Sequence, residues 1–155
     1  MPTASDFYAI LEAVQATIIA LGVTGYTTTS TVRLQKLPDY RNLTGGVVFV
    51  CPAPEQLNAQ AGTNLGDDIV YGVLVVAARP SNQSLTDNMD TLLHLRQRIV
   101  NAFHNKRLSW TAPSGTGATQ PFCAVDPTAV FDAGAFADQV DASALVVRVK
   151  TRTQR

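Results

Sequence analysis

The sequence predicts a single α+β domain built from an antiparallel or mixed sheet of about five strands, with two main helices packed on one face. Three observations carry that expectation. Two segments have apolar residues recurring at helical spacing, and several β-branched runs are bounded by Pro, Gly and Asn. No repeat, low-complexity block or linker divides the 155 residues, a length that suits one domain and one core.

The first helix is expected from Asp6 to Leu21, where Phe7, Ile10, Leu11, Val14, Ile18 and Leu21 form the stripe, Ser5 is placed to cap and Gly22 to stop. Thr27–Leu37 is rich in β-branched residues, alternates around Val32 and Leu34, and is broken by Pro38 and Asp39, which predicts a first strand. Val47–Cys51 is apolar at every position, the pattern of a strand covered on both faces, and Pro52 and Pro54 are expected to end it. Residues 53–67 are polar and contain Asn58, Gly62, Asn64 and Gly66, so they are read as a long hairpin arm or loop. Asp68–Arg79 should be the longest strand, stopping at Pro80.

Ser84-Leu85-Thr86-Asp87 approximates a capping box and is expected to open a helix over 85–103. Its predicted buried stripe is Leu85, Met89, Leu92, Leu93, Ile99, Val100 and Phe103, with Asp87, Asp90, Arg98 and Asn101 facing solvent. Residues 109–120 are Ser/Thr/Gly-rich and read as a surface loop. Phe122–Val130 and Ala144–Lys150 read as two further strands joined by a loop of small residues, and the basic end 150–155 as a flexible tail.

Composition narrows the function classes. Twelve basic and twelve acidic residues cancel, which removes the broad positive field of a nucleic-acid or anionic-membrane binder. Charged residues make up only 15% of the chain, against about 25% in ordinary soluble domains; burial of surface in an assembly fits that deficit, as does an uncharged polar surface. The apolar runs are far too short to span a bilayer. The first residues lack a basic, long-apolar leader pattern, so export is not expected. Cys51 and Cys123 have neither CxxC spacing nor neighbouring histidines and are read as buried reduced thiols in a reducing compartment.

Chemistry-bearing clusters are not evident. His94 and His104 are ten residues apart on or beside one helix, about 80° apart around its axis, which does not suit a shared metal. Asp67 and Asp68 are adjacent at a strand start, so they alternate between faces and do not form an acid/base pair. Asp126, Asp132, Asp138 and Asp141 lack constant spacing, and no phosphate-binding glycine loop or nucleophile elbow occurs. The expectation is therefore a non-enzyme without metal or cofactor. Trp110 is either an interface anchor or a core residue. Candidate protein-interface residues are Gln56, Asn58, Gln60, Asn64, Asp67 and Asp68 of the arm, Trp110, and Arg148, Lys150 and Arg152 of the last strand and tail. The sequons at Asn42 and Asn82 carry little weight in a chain not expected to be exported.

Several segments together resemble a known family. They are the amphipathic first helix, Gly66-Asp67-Asp68-Ile69-Val70-Tyr71-Gly72-Val73, the stretch from Asn82-Gln83-Ser84-Leu85-Thr86-Asp87-Asn88-Met89-Asp90 through Arg96-Gln97-Arg98-Ile99-Val100-Asn101-Ala102-Phe103, and Asp141-Ala142-Ser143-Ala144-Leu145-Val146-Val147-Arg148-Val149. They are similar to neck and tail-completion proteins of tailed bacteriophages, especially tail terminators. The resemblance implies a virion protein, assembled in the host cytoplasm, that forms a ring, expected to be a hexamer, at the head-proximal end of the tail tube. It implies as partners other copies of itself, the major tail tube protein and a head-completion, stopper or connector protein, with DNA only passing through the lumen and no membrane. Another neck component, such as a head–tail adaptor or stopper, and a small ligand- or nucleic-acid-binding module are the alternatives.

Overall fold

The structure is a computed structural model that describes residues 5–58, 66–82, 84–110, 121–128 and 130–154. Its elements in chain order are α1 (Asp6–Ala20), β1 (Val32–Leu34), β2 (Val47–Asn58), β3 (Gly66–Pro80), α2 (Met89–Phe103), β4 (Lys106–Arg107), β5 (Phe122–Pro127), α3 (Ala133–Ala137) and β6 (Val140–Gln154). The strands form one six-stranded mixed sheet in the order β1-β2-β3-β6-β5-β4. Only the β1–β2 pair in that sheet is parallel. Its centre is the antiparallel β3–β6 pair, continuous from Gly66 opposite Gln154 to Pro80 opposite Val140.

Alternation along the strands divides the residues between two faces. On one face Tyr71, Val73, Val75 and Ala77 of β3 join Leu145, Val147 and Val149 of β6, and α1 and α2 cover them. Helix α1 contributes Ile10, Leu11, Val14 and Ile18, and α2 contributes Leu92, Leu95, Ile99 and Phe103. Burying each such side chain is worth about 1.5–3 kcal/mol, so this face holds most of the hydrophobic stabilisation. Two polar contacts fix the helices: Gln15 Nε2 donates to the Val32 carbonyl at 2.8 Å, and Arg98 Nη2 donates to the Leu21 carbonyl at 2.9 Å. The second face carries a smaller cluster, Val47, Phe49, Cys51, Val76, Ala78, Val140 and Ala142, under α3 and the Tyr40–Leu43 segment.

The predicted α+β class, mixed sheet and two main helices on one face are present, and six strands stand where about five were expected. The ends of α1 follow the sequence: Ser5 Oγ accepts the Tyr8 amide at 3.3 Å, and Gly22 leaves the helix at φ +67°. Other boundaries differ. The first strand shrinks to Val32–Leu34 because residues 27–31 form hydrogen-bonded turns, with Thr31 Oγ1 donating to the Thr28 carbonyl. Pro52 and Pro54 do not end β2, which runs on to Asn58. Short β1 covers β2 only at Val48–Val50, and Val48 N and the Val50 carbonyl bond outward, to Thr31 and Gln35. Pro52 continues that outward parity along an open edge, where a missing N–H costs no ladder bond.

The helix expected from Leu85 begins instead at Met89. Ser84 Oγ does accept the Asp87 amide, at 3.3 Å, but the bond closes a turn, and Asn88 in the left-handed region, φ +63°, separates it from α2. As a result Leu85 lies off the helix and is exposed, while within α2 the helical phase turns Met89 and Leu93 outward and buries Leu95, left out of the predicted stripe. Strand β5 stops at Pro127 rather than Val130, while β4 and α3 were not anticipated. The flexible tail is also corrected: residues 150–154 complete β6, paired with β3 from Val70 back to Gly66. The tip of the arm and the segment 111–120 lie outside the described residues.

Candidate interaction surface

Among the described residues, about half of the second sheet face has no covering element. Register sets its rows: Gln56, Val70, Lys150, Phe122 and Arg107 lie across one, and Ala53, Gly72, Arg148 and Ala124 across the next. A third row, Cys51, Leu74, Val146 and Asp126, borders the cluster under α3. Gln56, Lys150, Phe122 and Arg107 are exposed, with Phe122 at 45%, and Val70, Ala53, Ala124 and Val146 are half-buried. Arg148 pairs with Asp126 across the β5–β6 ladder. The patch thus interleaves apolar positions on β3 and β5 with cationic ones on β6 and β4.

A β-bulge shapes its β2 border, since two residues, Pro54 and Glu55, stand between the pairs Ala53–Gly72 and Gln56–Val70 where β3 has only Tyr71. Gly72 accommodates the kinked strand: a Cβ there would lie 2.8 Å from the Pro54 carbonyl oxygen and 3.1 Å from Ala53 Cβ. On the reverse side Tyr71 packs on Phe7, ring centroids 4.8 Å apart. Burial, with Asp6 and Glu55 nearby, pushes the Tyr71 phenol above its usual value.

The structure brings together Gln56, Arg148 and Lys150 from the residues singled out in the sequence. The strand positions of Asn58, Asp68 and Arg152 fall in one further row of the same parity, whereas Asp67, opposite Thr153, has the other parity. Trp110 does not join them; it packs half-buried against the core on the helix-covered face. Its Nε1 is buried with no hydrogen-bond partner among the described residues. Gln60 and Asn64 lie outside the described residues.

Sequence reasoning missed a second surface, at the opposite end of the sheet. The 84–89 turn and the start of α3 enclose a groove of about 270 Å³ lined by Leu85, Met89, Phe131 and Phe136, with Asp87 and Asp132 among its polar members. Asp132 Oδ1 accepts the Gly134 and Ala135 amides, at 2.8 and 3.2 Å, and so caps α3. Beneath lies a polar network. Asn88 Nδ2 donates to Asp141 Oδ2 at 2.9 Å and to the Pro80 carbonyl at 3.1 Å, while Arg79 donates through Nε to Asn88 Oδ1 at 3.2 Å and through Nη1 to Tyr26 Oη at 3.3 Å. Asp141 is 5% exposed, so this carboxylate depends on its donors. Arg96, on α2, ties that helix to the sheet through Ser143 Oγ at 2.8 Å and the Ala144 carbonyl at 2.7 Å. Burial lowers its pKa from the ordinary guanidinium value.

Cys51 and Cys123 are buried free thiols on opposite faces of the sheet, and burial pushes each up to about 11. They stay protonated at neutral pH and are poor nucleophiles. His94 and His104 are both exposed; His104 Nδ1 accepts the Val125 amide at 3.1 Å and so closes part of the β5 edge. Among the described residues no group of three or more His, Cys, Asp or Glu side chains is placed to hold a metal ion. No helix among them is long and apolar enough to cross a membrane. The exposed groups gathered here suit non-covalent contact, apolar burial beside charge pairing. No protein-family model matches the chain, and no curated protein matches it.

Proposed function

We propose that the chain is a structural subunit that works by assembling into a closed ring, and that the ring belongs to the neck of a tailed bacteriophage. In this reading it sits at the head-proximal end of the tail tube, terminates the tube and joins it to the head-completion or connector proteins, in the virion and without chemistry of its own. Its contacts are then other copies of itself, the tube protein below and the connector side above.

The observation that carries the reading is the half-covered sheet. Among the described residues one face is sealed by α1 and α2, while the other is covered under α3 and the Tyr40–Leu43 segment and leaves Phe122 and its neighbours exposed. A chain with 15% charged residues and an apolar sheet face left open is built to bury that face against protein. The family resemblance supplies the particular assembly.

Removal of the gene from a phage that carries it tests the proposal directly. The expected particles, viewed by electron microscopy, are separate heads and tail tubes of uncontrolled length, both corrected by supplying the protein in trans. Full-length tails joined to heads at parental yield would refute it.

A further inference from the structure

We propose that the chain associates head to tail with a second copy, the acidic-rimmed apolar groove between the 84–89 turn and α3 receiving the Phe122-centred basic patch of the next subunit. The inference deepens the ring reading and rests on it, since it names the contact by which one subunit would hold the next.

Apolar exposure is concentrated rather than scattered. Among the described residues the exposed large hydrophobics are Tyr8, Leu37, Leu85, Met89, Leu93, Phe122, Val130 and Phe131. Five of these belong to the groove or flank it in sequence: Leu85, Met89 and Phe131 line it, Leu93 lies one helical turn beyond Met89, and Val130 precedes Phe131. Leu85 is 85% exposed on a turn held by Ser84 Oγ, which accepts the Thr86 and Asp87 amides. A fixed turn that presents a leucine to water is an anchor without its pocket.

Charge selects the occupant. Asp87 and Asp132 line the groove, and no Lys or Arg does among the described residues. Two grooves brought face to face would set carboxylates against carboxylates, which disfavours a symmetric dimer through this surface. The chain carries the opposite surface at the far end of its sheet: Phe122, 45% exposed, lies in one row between Lys150 and Arg107, with the Arg148–Asp126 ion pair beside it. Apolar meets apolar and acidic meets basic only when groove and patch come from different copies in head-to-tail order. Such a contact uses two different surfaces, so it propagates, and it closes into a ring when the rotation per subunit permits.

The test measures assembly size by sedimentation velocity and light scattering on the full chain, alone and with the tube protein. Asp87→Lys and Lys150→Glu are each expected to raise the subunit dissociation constant about tenfold or more, and the two reversals in one chain should recover most of the loss. Leu85→Ser and Phe122→Ser, at exposed positions, should weaken assembly while leaving the melting temperature unchanged at dilutions where the parent is itself dissociated, so the contact stays testable if a charge reversal perturbs folding. A parental ring that every one of these folded variants forms equally well would overturn the contact and leave the ring reading standing. A parent that stays monomeric both alone and with the tube protein would overturn both.

Discussion

Replacing Asn88 separates two contributions that the fold places on one residue. Its side chain holds three hydrogen bonds, to Arg79 Nε at 3.2 Å, the Pro80 carbonyl at 3.1 Å and Asp141 Oδ2 at 2.9 Å, while its backbone sits in the left-handed region at φ +63°. Asn88→Gly removes the side chain but keeps the backbone accessible. Each lost bond is worth about 0.5–1.5 kcal/mol, more where the partner is charged; Asn88 is only half-buried, so water replaces part of the loss and about 2–4 kcal/mol is expected. Asn88→Ala loses the same bonds and adds about 1–2 kcal/mol for a Cβ in the left-handed region. The expected stability order is therefore parent, then Gly, then Ala, the reverse of the usual advantage of Ala over Gly of about 0.5–1 kcal/mol. Calorimetric melting resolves it, at about 2–4 °C per kcal/mol for a domain of this size. An Ala variant as stable as the Gly variant, or both within about 0.5 kcal/mol of the parent, would refute the roles assigned to Asn88.

Gly72→Ala should cost about 1–3 kcal/mol, because the new Cβ meets a backbone carbonyl 2.8 Å away rather than a movable side-chain end; urea unfolding at parental stability would show that the bulge relaxes freely. Ile99→Ala and Phe103→Ala, each at 1% exposure, should cost about 2–5 kcal/mol, whereas Leu85→Ala should stay within about 0.5 kcal/mol; equal losses by circular dichroism melting would return Leu85 to the core. Thiols held up to about 11 in the fold, against about 8.5 unfolded, keep protons that the unfolded chain releases. Stability should therefore fall as pH rises through that interval, and Cys51→Ser/Cys123→Ser should flatten the fall measured in urea titrations. Alkylation of native protein at pH 8 should be slow at both thiols and become fast in urea; rapid native labelling would contradict their burial.

Residues with only one reading were legible in the sequence. Ser5, the stripe ending at Ile18, and Gly22 each act on neighbours three or four residues away along a single helix, so local rules suffice. Val47–Cys51 was legible because both faces demand apolar residues. Pro52 was misread because a proline breaks a central strand but fits an edge, and whether β2 is an edge depends on how far β1 runs. Ser84 was misread for a related reason, since its hydroxyl caps equally well a helix or an isolated turn, and Asn88 decides. Helix α3 has five residues, too few to show periodicity.

The open sheet face was partly legible for a geometric reason. Residues two apart on a strand share a face, so picking Arg148, Lys150 and Arg152 from β6 selected one row-to-row column without knowledge of the sheet. Its neighbours Phe122 and Arg107 were invisible because they reach the patch through β5 and β4, elements brought alongside by tertiary pairing. The groove was hidden more deeply: Leu85 and Met89 carry the same apolar signal as Ile99, and the late start of α2 leaves Leu85 off the helix while Met89 falls at the edge of its buried stripe.

The two surfaces follow from one structural economy. The helices are spent on one face, and α3 is too short to cover the other, so β3 and β6 keep apolar residues on both faces where only one is fully protected. A chain selected to remain a monomer would place polar residues at Val70, Phe122, Ala124 and Val146, as antiparallel sheets with a solvated face do. It would also avoid a leucine 85% exposed on a rigid turn. Retention of both features at opposite ends of the longest strands, with basic residues beside one and acidic residues beside the other, fits a subunit whose second layer is the next subunit. On the proposed reading, covering the sheet and closing the ring are then one event, so stability and assembly should rise and fall together with protein concentration.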